Sequence, residues 1–135
     1  MLKYVAAGLP TLVIFLLLDA LWIGLVALPQ FRVVLGDALF FRAAPSIVFY
    51  IIYIGGILFF ATTPAFATGQ WSTALVYGLV FGFCAYATYD LTNYATLRPW
   101  TLGLAIADIA WGSFVTGVAA CLGYIASFPV LRMMQ

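Results

Sequence analysis

The chain has 135 residues, 67% of them hydrophobic and only 7% charged. An ordinary soluble domain is about 25% charged, so there is too little charge here for a water-facing surface. A mean hydropathy of +1.18 makes lipid the main solvent. The net charge of +1, with no basic run, gives no footprint for nucleic acid. The lack of histidine and glutamate excludes histidine-ligated haem, the usual zinc sites and Ser-His-Asp catalysis.

Four apolar stretches follow in chain order, each near the roughly 20 residues that cross a bilayer. The first runs from Tyr4 to Leu28 and is interrupted by Thr11 and Asp19. It is too long for the apolar part of a secretory signal and carries an aspartate, so it is expected to be retained as a span. The second runs from Ala44 to Thr62, the third from Trp71 to Asn93 and the fourth from Thr101 to Ser127. Pro29, Pro64, Pro99 and Pro129 fall at or just beyond these ends, where helix punctuation belongs. Trp71 and Trp100 open spans three and four as interfacial anchors would.

Between spans one and two, Gln30 to Arg42 mixes Arg32, Asp37 and Arg42 with bulky apolar residues. An interfacial helix lying on the membrane surface fits this pattern, as does a short apolar loop packed on the bundle; Asp37 is a surface charge in either case. The other loops are short, so sequential helices should be antiparallel neighbours. The expected fold is all-α: an integral membrane bundle of four transmembrane helices, one domain over residues 1–135, with the bilayer as its partner. Basic residues do not orient it. The side of the termini (side A) carries Lys3 and Arg132, and the opposite side (side B) carries Arg32, Arg42 and Arg98.

Three of the four acidic residues, Asp19, Asp90 and Asp108, lie inside spans. A carboxylate at bilayer depth costs about 2.5 kcal/mol or more and usually faces a protein interior or an aqueous cavity, which makes it a candidate site. At 1.5 Å per residue, Asp19 lies about 13 Å, Asp108 about 10 Å and Asp90 about 5 Å below side B. All three therefore belong to the same half of the membrane.

Other polar groups match these heights. Tyr86, Asp90 and Asn93 share a face of span three, and Ser46, Tyr50 and Tyr53 share a face of span two. Tyr89 and Thr92 flank the acidic face. Together these give a cavity lined by Asp19, Tyr50, Tyr53, Tyr86, Asp90, Asn93 and Asp108, with Arg98 near its mouth. The plainer reading is an aspartate network that caps loops or pairs with Arg98, beside tyrosines that serve as core and an asparagine that joins helices. Asp19-Ala-Leu-Trp22-Ile-Gly24 and Asp108-Ile-Ala-Trp111-Gly112 repeat one pattern on helices of opposite direction, an inverted relation of the kind found in transporters. Gly112, Thr116 and Ala120 form a small-residue stripe for close helix contact, within the bundle or across a homodimer. Cys84 and Cys121 lie about 15 Å and 30 Å from side B. They are too far apart for a disulfide and are expected to be small buried hydrophobes.

The two aspartate–tryptophan motifs, with Tyr89-Asp90-Leu91-Thr92-Asn93, Ala95-Thr96-Leu97 and Trp100 between them, resemble the bacterial membrane proteins catalogued as domain of unknown function 2177. The likeness covers essentially the whole chain, with Tyr-Asp-Leu-Thr-Asn its most specific part. It implies a four-span protein of the bacterial cytoplasmic membrane and supplies no reaction.

Three functions fit. The first is binding or transport of a cation, a proton-coupled solute or a small amphipathic molecule, with buried carboxyls exchanging protons and tyrosine faces holding a cation. The second is an enzyme acting on lipid or isoprenoid through Asp90 and Asp108; metal catalysis gains little support, since no second acidic motif accompanies them. The third is an accessory subunit whose aspartates are structural. So short a chain favours a homo-oligomer or a membrane protein partner over a complete path in one copy. No cofactor or metal is called for, and the first function is the expectation carried forward.

Overall fold

The structure is a computed structural model that describes residues 2–133. It is helical from end to end, with no strand among the described residues. Four helical runs are long and apolar enough to cross a membrane: Leu2–Ala38, Ala43–Thr68, Trp71–Thr96 and Leu102–Arg132. The element order is α1 (Leu2–Trp22), a π-helical turn (Ile23–Ala27), α2 (Leu28–Leu35), a short 3-10 turn (Gly36–Ala38), α3 (Ala43–Ile57), a second π turn (Leu58–Thr62), α4 (Thr63–Thr68), α5 (Trp71–Thr96) and α6 (Leu102–Met133).

The spans are where the sequence puts them, but three of the four prolines expected to end helices do not. Pro29 and Pro64 stand in the first turns of α2 and α4, and Pro129 lies inside α6. The two π turns give the reason at Pro29 and Pro64. A helical proline clashes with the carbonyl four residues back, here Leu25 and Phe60, and both carbonyls fall inside a π turn. The wider turn removes that clash and lets the helix continue. The Leu58 carbonyl then accepts both the Thr63 backbone N–H and, at 2.9 Å, the Thr63 hydroxyl, which keeps that hydroxyl satisfied in lipid. Only Pro99, in the turn between α5 and α6, ends a helix as expected.

This continuity also revises the first connection. Gln30 to Arg42 is not one uniform element: Gln30 to Leu35 are helical, Gly36–Ala38 form the 3-10 turn and residues 39–42 are non-helical. Its first part extends the first span as α2, which folds Phe31, Val34 and Leu35 against Trp100, Leu104 and Ala105 at the start of α6. Trp100 is correspondingly buried, not an interfacial anchor, whereas Trp71 is exposed.

The central helix is α6. Half of its most apolar stretch (50%) is buried within the protein, against 22%, 17% and 22% for the first, second and third spans. One side of α6 packs along α5 and another along α1. The α5–α6 seam is close because it is glycine on glycine: a Cβ on Gly78 would lie 2.9 Å from the Gly117 Cα, and one on Gly82 would strike the Gly112 carbonyl. The expected small-residue stripe is thus used inside the bundle.

In contrast, α3 packs far more sparsely on α1 than α6 does. The second span meets α5 and α6 mainly through its π turn and α1 through both α3 and that turn, and its aromatic side chains bridge the remaining space. Gly69, with φ 71°, closes the tight α4–α5 connection; this left-handed conformation suits glycine. The outer faces carry exposed apolar side chains such as Leu17, Leu25, Ile52, Phe59 and Val80, a lipid-facing exterior. Cys121 is buried as expected, but Cys84 lies on that exterior.

Candidate functional site

In the side-B half the loose seating of α3 leaves a cavity of about 420 Å³ between α1, α2, α3, α5 and α6. Its wall includes Asp19 and Trp22 from α1, Ser46, Phe49, Tyr50 and Tyr53 from α3, Tyr86 and Tyr89 from α5, and Asp108 from α6. Phe31 of α2 also borders it.

Each carboxyl in the wall is tied to an aromatic donor on another helix. The Tyr50 hydroxyl donates to Asp19 Oδ2 at 2.7 Å, and the Trp22 indole N–H donates to Asp108 Oδ1 at 2.8 Å. Asp19 and Asp108 are 5% and 6% exposed, so these bonds operate where water competes little. Both donors are neutral, and no basic side chain lines the cavity. Tyr53 shares a 2.8 Å hydrogen bond with Thr116, whose hydroxyl also reaches the Gly112 carbonyl at 2.6 Å. Tyr86 lies flat against Gly112, where any Cβ would collide with its ring, so the glycine of the second aspartate–tryptophan motif seats a wall residue.

The two motifs meet face to face. Because α1 and α6 run antiparallel, Trp22 comes level with Asp108 and Trp111 comes level with Asp19. The indoles stack at 4.8 Å with an interplanar angle of 4°. Trp22 completes its hydrogen bond to Asp108, whereas the Trp111 N–H faces Asp19 but has no hydrogen-bond partner. The repeat read in the sequence is therefore a local two-fold arrangement with one of its two bonds formed.

Of the expected site residues, Asp19, Tyr50, Tyr53, Tyr86 and Asp108 come together in the wall. Asp90 does not reach it. It is fully buried behind Asp108, beside the Trp100 indole, and neither of its oxygens has a hydrogen-bond partner. Asn93 and Arg98 also stand outside the wall: Asn93 is half-buried near Tyr89 on the outer part of α5, and Arg98 is exposed in the α5–α6 turn. With both Asp90 oxygens unpartnered, Arg98 does not pair with that carboxyl. Among the described residues no three Asp, Glu, His or Cys side chains converge as a metal site requires.

Sequence reasoning missed Phe31, Phe49 and Trp100. Phe49 lies three residues from Ser46 and four from Tyr53, so helical spacing could have found it. Phe31 carried no such signal, because its place depends on a helix that continues through Pro29. Trp100 was assigned to the membrane interface when α2 in fact covers it.

No curated protein and no solved structure matches this chain. The family described as "Predicted membrane protein (DUF2177)" matches over residues 4–125, nearly the whole length, and the chain belongs to that family.

Proposed function

We propose that this protein binds a small organic cation in the side-B cavity, as the recognition step of a membrane carrier. One observation carries the reading: two buried carboxyls, Asp19 and Asp108, share an aromatic chamber in which every hydrogen-bond donor to them is neutral. A carboxylate in such surroundings needs either a proton or a counter-cation, and the chain supplies no cation of its own there. The faces of Trp22, Phe49, Tyr50 and Tyr86 suit a weakly hydrated ammonium, which aromatic rings attract when it is stripped of water. A hydrated metal ion would call for oxygen ligands in place of rings. The α-helical spans favour the bacterial cytoplasmic membrane as its location, since outer-membrane proteins are typically barrels.

The test is a titration of the protein in lipid nanodiscs with tetramethylammonium, read by fluorescence of the Trp22–Trp111 pair. The expected result is a saturable change that a neutral alcohol of the same shape does not produce. Asp19→Asn or Asp108→Asn weakens binding about thirtyfold, the scale of losing one partner of a desolvated charge pair. A flat titration of the parent protein, or equal binding by both variants, refutes the reading.

A further inference from the structure

A second cavity runs outside the first. It is a groove of about 740 Å³ between the first and second spans, open to the lipid side and lined by aliphatic residues and glycines, with Tyr4 and Tyr50 the two aromatic members. On α1 it extends from Leu16 down to Tyr4, and on the second span from Ile47 of α3 down to Leu58 at the start of the π turn. At 1.5 Å per residue that is a trough about 18 Å long running along the membrane normal, enough for an extended dodecyl chain.

One side chain belongs to both spaces: Tyr50 lines the acidic chamber and the outer groove alike. Its hydroxyl points inward to Asp19, so the partition between chamber and groove at this height is a single phenol ring. The second span, which carries this ring, is the least buried of the four. The chamber therefore opens sideways, toward the hydrocarbon of the bilayer.

We infer that the ligand is a single-chain amphiphile with a cationic head, the head held between Asp19 and Asp108 and the alkyl tail lying in the α1–α3 groove. This rests on the organic-cation reading and narrows it. Charge complementarity sets the head: an anionic head would face two carboxyls without a base, and a neutral one would leave them unmatched. Continuity through Tyr50 sets the tail, since a chain leaving the chamber at that ring enters an aliphatic trough without crossing a polar group. A bilayer lipid lying in the groove would use only the outer half of this arrangement.

Gly55 gives a clean probe. It lines the groove, and a Cβ built on it meets nothing within 4 Å, so Gly55→Phe can fill the trough without forcing the helix aside. The full chain in nanodiscs is titrated with dodecyltrimethylammonium, expressed as its mole fraction in the bilayer, and separately with tetramethylammonium. Gly55→Phe should weaken the dodecyl compound about tenfold while leaving tetramethylammonium unchanged, and Asp19→Asn should weaken both.

A second measurement needs no variant. A trimethylammonium probe with a photoreactive group at the tip of its alkyl tail should label Val5, Leu9 and Leu58 at the lower end of the groove, and excess dodecyltrimethylammonium should suppress that labelling. Labelling spread over the outer face of α5, at Val80 and Phe83, overturns the inference. So does Gly55→Phe affecting both ligands equally or neither, in which case the chamber still binds tetramethylammonium and the cation reading stands. A Gly55→Phe protein of altered assembly mass assigns the groove to a second copy and also overturns the inference. If the parent protein binds neither ammonium, both readings fall together.

Discussion

Toward the termini, the bundle closes on small residues. Gly78 lies against Gly117 and Ala120, Gly123 against Thr11, and Ala65, Ala74 and Ala119 are fully buried. Polar groups in this half mostly bond to nearby backbone on their own helix: Thr11 to the Ala7 carbonyl at 2.8 Å and Ser127 to the Tyr124 carbonyl at 2.6 Å. The opposite half differs on both counts. Its helices are held apart by aromatic rings around a cavity, and although Ser46, Thr88 and Thr92 bond to backbone on their own helices, its buried carboxyls bond across helices or not at all. A hydroxyl that satisfies itself on its own helix costs little in lipid and asks for no partner. A carboxyl that depends on another helix, or on nothing, carries a desolvation cost that its own helix does not offset, which is what makes this half the candidate site. Outside the side-B half the exceptions are the Thr62 hydroxyl, buried without a partner, and the Thr68 and Thr73 hydroxyls, which bond to each other between α4 and α5 at 2.9 Å.

The comparison breaks most sharply at the glycine seam. Gly78→Val sets its Cβ against the Gly117 backbone and the Thr116 carbonyl, atoms that cannot swing aside. It should cost about 3 kcal/mol in reversible unfolding from bilayer-like micelles. Gly24→Ala, on the side-B part of the first span where a Cβ meets nothing within 4 Å, should change stability by less than about 1 kcal/mol. Equal losses would mean that the two halves are packed alike.

The same contrast explains what the sequence could disclose. Hydropathy located four spans, because length and composition alone set those. Helix ends were misread at Pro29 and Pro64 because a π turn leaves no compositional trace and is what cancels the usual meaning of a proline. Helix rotation was only half legible. The Ser46–Tyr50–Tyr53 face was correct, but on α5 the same spacing sent Tyr86 into the cavity, Asp90 behind it and Asn93 outside. Over seven residues a face is wide enough to span a cavity wall and the seam beside it, and only the glycine contacts of α6 decide which residue falls where.

The stacked indoles give a finer test, since they are alike in everything but one bond. Trp22→Phe removes the donor to Asp108 and leaves that carboxyl bare, which should cost about 1–3 kcal/mol. Trp111→Phe removes an N–H that bonds to nothing and should leave stability within about 0.5 kcal/mol. Both substitutions should abolish the same near-ultraviolet circular dichroism couplet, because each destroys the pair. Equal stability losses would show that Trp111 completes its bond to Asp19 and that the local two-fold is whole.

The contrast is most finely drawn at Asp90. Its carboxyl is fully buried with both oxygens unpartnered, so the folded protein already carries the cost of desolvating it. Replacing such a group by an apolar one of similar shape is neutral or favourable, whereas removing a bonded carboxyl is not. Asp90→Leu should therefore leave thermal unfolding unchanged or raise stability by about 1 kcal/mol, while Asp108→Leu, which strips the partner from Trp22, lowers it. If Asp90→Leu instead destabilises the protein as Asp108→Leu does, the carboxyl holds α5 to α6 and is scaffold after all. If it stabilises the protein and also alters ammonium binding, Asp90 acts on the chamber through Asp108, the carboxyl at its side.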